Sequence, residues 1–280
     1  MNAIPNATAE DDSVFPPAHA AIGMADANDA DVSDANDADV SDANDVGISN
    51  GNDAGGITGV ILAGGRSTRF GDRDKAIAPL AGTPMIRRVA NRLAGTDDPV
   101  DPGGGRASGG EPVVDDLVIN CRDDQRSGIT AAMEGFPLPV TYAEDEEPDR
   151  GPMAGIRDGC RAATGEYVAV VACDMPFVDP TLIAHLLARC RGHEAAVPRL
   201  DDQWFQTTQA VYRAAPMADA CDRALAAGER KIIEPLFELA YVVVDDAEIE
   251  RVTAEQTFRN VNTREDHADA EVRIEGIEGI

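Results

Sequence analysis

Three short apolar runs, Ile57–Leu62, Leu117–Cys121 and Tyr167–Cys173, show almost no alternation of polar and apolar residues. A strand with one wet face alternates; a strand covered on both faces does not. A weaker strand is expected at Pro139–Ala143. Between these runs the spacing turns helical. Met85, Val89 and Leu93 share one face of Pro84–Leu93, with proline in the first turn. Met153–Ala163 reads as a second helix. The later chain offers strands at Glu194–Pro198, Gln209–Arg213 and Ala240–Val244, with helices at Pro180–Cys190, Met217–Ala226 and near Lys231–Leu239. Strands alternating with helices predict a single α/β domain built on a doubly wound, mostly parallel sheet.

In such a sheet, ligands bind beyond the carboxyl ends of the strands. The polar residues that end the apolar runs therefore carry the functional expectation. They are Gly64 and Gly65 after the first run, Asn120 within the second, Asp145 after the third, and Asp174 after the fourth.

Composition narrows the function classes. Hydrophobic residues make up 43% of 280 positions, enough for a sizeable core, and the formal net charge is -27. That charge argues against nonspecific binding to nucleic acid or to an anionic membrane, which need basic surfaces. Residues 1–56 hold 12 of the 51 acids and none of the 24 bases, so both this segment and the remainder are acidic. Of the bases, only Lys75 and Lys231 are lysines. An acidic surface almost free of lysine points to a salt-rich cytoplasm, where self-repulsion is screened. The five cysteines are scattered and form no C-x-x-C pair, as expected of reduced core thiols. No basic leader region precedes an apolar segment, and no apolar run reaches membrane-spanning length, so the chain is expected in the cytoplasm.

Three domain segments follow: an acidic tail at 1–56, a folded domain at 57–270, and a short C-terminal tail at 271–280. The acidic tail repeats every eight residues, DANDADVS at 26–33 and 34–41 and DANDVGIS at 42–49. It lacks the central glycine and terminal glutamate of a calcium-binding loop. Low hydrophobicity with one sign of charge predicts disorder. Thr96–Pro112, rich in Gly, Pro and Asp, reads as a surface insertion.

The chemistry concentrates after the first strand, in LAGGRSTRFGDRDKA at 62–76. A glycine pair directly after a strand lets backbone N–H groups approach an anion closely. Arg66, Arg69 and Lys75 place three cations within ten residues of an otherwise acidic chain. Lys75 stands where arginine is the usual base here, which suits a phosphate-contacting ammonium. The loop is neither a Walker A motif nor a Gly-x-Gly-x-x-Gly fingerprint.

This string is similar to the signature loop of nucleotidyltransferases with a Rossmann-like fold, and within them the chain resembles the molybdenum cofactor guanylyltransferases. The resemblance continues in order through Val118-Ile119-Asn120, Glu144-Asp145, Gly151-Pro152-Met153-Ala154-Gly155, Cys173-Asp174-Met175-Pro176, Gly228-Glu229-Arg230-Lys231 and Asn260-Val261-Asn262-Thr263. It implies that Leu62, Ala63, Gly64 and Gly65 hold the nucleotide through backbone contacts. It further implies that Lys75 pairs with the phosphates, that Asn120 and Asp145 contact guanosine, and that Asp174 binds Mg²⁺ together with the nucleotide. Arg69 would join Lys75 in neutralising departing pyrophosphate, making Arg69, Lys75 and Asp174 the catalytic set. Asn260 and Asn262 would face the second substrate, or else Thr263 simply caps the helix beginning at Arg264.

The implied reaction transfers GMP from GTP to the phosphate of molybdopterin and releases pyrophosphate. Molybdoenzyme-maturation proteins are the implied protein partners. Three other readings stay open at this stage. One is a related enzyme using CTP or a cobamide-precursor phosphate. Another is a glycosyltransferase, although Asp-x-Asp is missing because Ala172 precedes Asp174 by two. The third is a nucleotide-binding protein without turnover.

Overall fold

The computed structural model describes residues 55–65, 74–96, 112–144, 151–201 and 204–276. The acidic repeats, Arg66, Arg69, Asp145 and positions 97–111 of the expected insertion lie outside the described residues.

Seven strands form the main sheet: β1 Ile57–Leu62, β2 Asp116–Cys121, β3 Val140–Glu144, β4 Tyr167–Ala172, β5 Ala195–Arg199, β6 Gln209–Arg213 and β7 Tyr241–Asp245. Their order is β3-β2-β1-β4-β6-β5-β7. Only β6 runs antiparallel, against both β4 and β5. The helices are α1 Met85–Leu93, α2 Asp123–Ala132, α3 Pro152–Ala162, α4 Pro180–Cys190, α5 Ala214–Ala226, α6 Ile233–Phe237, α7 Asp246–Glu250 and α8 Arg264–Gly276. This is the doubly wound, mostly parallel, Rossmann-like sheet expected from the apolar runs. Helix α8 runs continuously across position 270.

The lack of alternation in β1 and β4 has a direct cause. Ile57 and Ile61 of β1, with Ala169 and Val171 of β4, face one core shared with Val89 and Leu93 of α1, Ile129 of α2 and Leu182 and Leu186 of α4. Val60 of β1, with Val168 and Val170 of β4, faces the opposite core against Met153 and Ile156 of α3 and Met217 and Cys221 of α5. Both faces are dry, so both sets of positions are apolar. A third, smaller cluster joins Leu80, Met85, Phe177, Val261, Ala270 and Ile274. It fastens α8 to the segment that follows β4.

Helix α3 crosses β1 closely because Gly159 has no side chain. A Cβ there would lie 2.4 Å from Val60 Cγ1. Valine is held to few rotamers and cannot swing clear. Gly159→Ala should therefore destabilise the domain by about 1–3 kcal/mol, read as a lower midpoint in denaturant unfolding in molar KCl. An unchanged midpoint would mean that α3 moves away from the sheet at no cost.

All five cysteines are free and buried. Among the described residues no helix is long and apolar enough to cross a membrane.

Candidate active site

The chain leaves β1, builds β2 and β3 on one side, then returns to place β4 on the other. That reversal between β1 and β4 is where a crevice opens above such a sheet. Leu62 pairs in register with Asn120 of β2 and Ala172 of β4. Gly64, Gly65 and Asp174 follow directly from these strand ends, so the register itself gathers the expected residues at one edge.

Lys75 and Asp174, 99 residues apart in sequence, meet there. Lys75 Nζ donates to Asp174 Oδ2 at 2.6 Å, with the two side chains 15% and 17% exposed. Nζ also donates to Asn262 Oδ1 at 3.0 Å. Lys75 is delivered by a short 3-10 turn, Lys75–Ile77, whose N-cap Asp74 accepts from Ala76 N–H through Oδ1. Asp174 is held from behind, since its carbonyl accepts from Val261 N–H at 2.8 Å. Thr263 Oγ1 accepts from Asp266 N–H, and Asp266 Oδ2 accepts from the N–H groups of Thr263 and Asn262. This reciprocal cap starts α8 and fixes the turn that presents Asn262. Thr263 therefore caps α8 as the alternative reading expected, while Asn262 reaches Lys75. These backbone and hydroxyl donors hold the Asp266 carboxyl below the usual carboxylate range.

Asn120 is only 2% exposed. Its Nδ2 donates to Ala143 O of β3 at 3.2 Å. Its Oδ1 lies so close over α3 that a Cβ on Gly155 would come within 2.3 Å of it. The bond to Ala143 joins the end of β2 to the end of β3, two residues before Asp145.

Two residues absent from the sequence expectations belong to the site. Arg122 Nη1 donates to the carbonyls of Gly64 and Gly65, both at 2.9 Å. Gln125 Nε2 donates to Ala63 O at 3.0 Å and to Asp74 Oδ2 at 2.9 Å. Both stand at the start of α2, a helix the spacing analysis did not anticipate.

Cys173 is buried, 6% exposed. Burial pushes its thiol up to about 12, and neighbouring Asp174 adds to the rise. A thiol kept neutral in this way is a core side chain rather than a reactive group.

Among the described residues no group of three or more His, Cys, Asp or Glu is placed to hold a metal ion. Asp174, 17% exposed and beside Lys75, offers one carboxylate among the described residues. That donor set fits Mg²⁺ coming with a nucleotide, because the ion takes one or two carboxylates and completes its shell with phosphate oxygens and water.

Comparisons with known proteins place the chain in a family. The MobA-like NTP transferase domain model matches residues 59–242. A probable molybdenum cofactor guanylyltransferase of Natronomonas pharaonis is 46% identical over 217 residues, covering 78% of this chain and 98% of its own. A protein of the same description from Haloferax mediterranei is 39% identical over 212 residues, covering 75% and 91%. Both relatives come from haloarchaea, in line with the acidic, lysine-poor composition. The crystal structure of molybdopterin-guanine dinucleotide biosynthesis protein A from Archaeoglobus fulgidus superposes with a TM-score of 0.60 at 25% identity, covering 78% of this chain and 99% of that one. A glycine loop after β1, a lysine–aspartate pair across the β1–β4 crevice and these relatives converge: the chain belongs to the MobA-like NTP transferase family, alongside the molybdenum cofactor guanylyltransferases.

Proposed function

We propose that this protein transfers GMP from GTP to the terminal phosphate of molybdopterin in a Mg²⁺-dependent reaction in the cytoplasm. The observation that carries the reading is the Lys75–Asp174 pair set across the switch point from the Gly64–Gly65 loop. A phosphate oxygen of the acceptor attacks the α-phosphorus. One P–O bond forms there, the bond to the β-phosphate oxygen breaks, and pyrophosphate departs.

Asp174 would hold the Mg²⁺, which when bound would neutralise phosphate charge and so lessen repulsion of the anionic nucleophile. The chain's own work is positioning and charge compensation, with no covalent intermediate. The Gly64 and Gly65 amides bind phosphate oxygens. Lys75 turns from Asp174 toward the polyphosphate and neutralises charge on the departing pyrophosphate. Asn262 accepts from the same ammonium and steadies it during that turn. From the resemblance, Arg69 assists Lys75, and Asp145 contacts the guanosine at the end of the strand that Asn120 secures.

The test compares pyrophosphate release with GTP, CTP and ATP, each with and without molybdopterin, in molar KCl with Mg²⁺. Release with GTP alone among the three, and only when molybdopterin is present, is the expected result. Release with CTP instead would keep the mechanism and change the nucleotide. GTP binding without release would favour a nucleotide-binding protein lacking turnover.

A further inference from the structure

A glycine loop binds phosphate only if its N–H groups point into the crevice. In a planar trans peptide the carbonyl and the N–H that share a C–N bond point in opposite directions. Whatever holds the carbonyls therefore aims the amides. Here the carbonyls of Ala63, Gly64 and Gly65 all accept from the first turn of α2 and its cap, through Gln125 and Arg122. The amides of Gly64 and Gly65 consequently face away from α2. A Cβ built on Gly65 meets no atom of the described residues within 4 Å.

The two side chains are themselves fixed. Gln125 is 4% exposed, and its Oε1 accepts from Arg122 N–H at 3.2 Å. That settles which end of the amide faces the loop, and both hydrogens of Nε2 then have acceptors, Ala63 O and Asp74 Oδ2. Asp74 caps the turn that carries Lys75. One buried amide therefore ties the start of the loop to its end and sets the spacing between the glycine amides and Lys75. Arg122 is held by Asp124, at 2.9 Å. This partner offsets its charge, so Arg122 acts through the direction of its donors and not by attracting phosphate from a distance. The N-terminus of α2 is no rival anion site, because Asp123 and Asp124 fill its first turn.

We propose that Arg122 and Gln125 are positioning residues that aim the Gly64 and Gly65 amides and Lys75 at the nucleotide polyphosphate; this rests on the guanylyl-transfer reading above. The clasp acts on the nucleotide and leaves the acceptor untouched.

The experiment measures KM for GTP and KM for molybdopterin by pyrophosphate release, using the full chain in molar KCl with Mg²⁺. Gln125→Leu keeps the volume and removes both donors. Gln125→Glu differs by a single group and sets a carboxylate against Asp74. Arg122→Lys keeps the charge and loses the fork that spans two carbonyls. The expected result is a GTP KM raised roughly tenfold or more in Gln125→Leu, the scale of an unmet buried carbonyl. Gln125→Glu should raise it further, and Arg122→Lys less. The molybdopterin KM should stay within about twofold in all three. A variant with unchanged GTP KM, or one that loses only active fraction with both KM values intact, would overturn the clasp. If the Gln125 variants do not fold, Arg122→Lys decides alone by the same criterion. An inactive wild-type chain would instead sink the guanylyl-transfer reading, so the two failures are distinguishable.

Discussion

Replacing Lys75 by alanine should lower turnover about a hundredfold or more, the scale of losing one preorganised charge at a developing negative centre. The ammonium is compact, 15% exposed, and carried on a capped turn that the core holds through buried Ala76. Asp174 and Asn262 both accept from it. When polyphosphate arrives, the same donors have a richer set of oxygens within reach. Alanine removes the donor and leaves the loop backbone in place, so the loss should fall on kcat more than on folding. Lys75→Arg should not restore turnover, since a planar fork cannot replace a point donor between two acceptors in a tight corner. Initial rates of pyrophosphate release measure both variants. Near-normal turnover in Lys75→Ala would remove Lys75 from the catalytic set.

Asp174→Asn should abolish the dependence of rate on Mg²⁺ concentration and leave only residual turnover. Asparagine keeps the shape and can still accept from Lys75 Nζ, so the local packing should survive. What it loses is the charge that a hard divalent ion requires of its protein ligand. The carboxylate is held by its backbone rather than by capping contacts: β4 delivers it and Val261 N–H fixes its carbonyl. A Mg²⁺ titration of the variant is the measurement. A curve that matches wild type would show that the ion is bound elsewhere or is not needed.

Some of this could be read from the chain alone, for identifiable reasons. Strands β1 and β6 fall at the positions expected: β1 is covered on both faces and is apolar at all but Thr58 and Gly59, and β6 is an apolar Ala210–Tyr212 stretch bounded by Gln209 and Arg213. Helix α4 likewise runs between Pro180 and Cys190, with Asp179 capping its first turn through a side-chain acceptor. Helix α2 escaped because only Gln125 and Ile129 along it are buried. Ser127, Gly128 and paired aspartates leave no apolar stripe to detect. Its start did carry a local signal, a glutamine three residues after the cap position, which is the spacing of a capping residue.

The site divides in the same way. The glycine pair and Lys75 stand out because they lie in one continuous loop of unusual composition. Arg122 and Gln125 act on that loop from 51 to 62 residues away in sequence, and Asn262 reaches Lys75 across 187. Such contacts follow from the order of strands in the sheet, which no local pattern encodes. Asn120 shows the converse. It sits at a strand end, and its Nδ2 donates to Ala143 O of the neighbouring strand while its Oδ1 packs close to Gly155 of α3. A position at the rim of the sheet does not determine which way a side chain turns.

The most direct test of the account follows the phosphorus atoms. GTP labelled at the α-phosphate, and separately GTP labelled at the γ-phosphate, would each be incubated with the protein, Mg²⁺ and molybdopterin in molar KCl, and the pterin product isolated. Label from the α-phosphate should appear in the product, with the γ-label recovered wholly in pyrophosphate. Label from the γ-phosphate in the product, or no label from either, would contradict nucleotidyl transfer at this site.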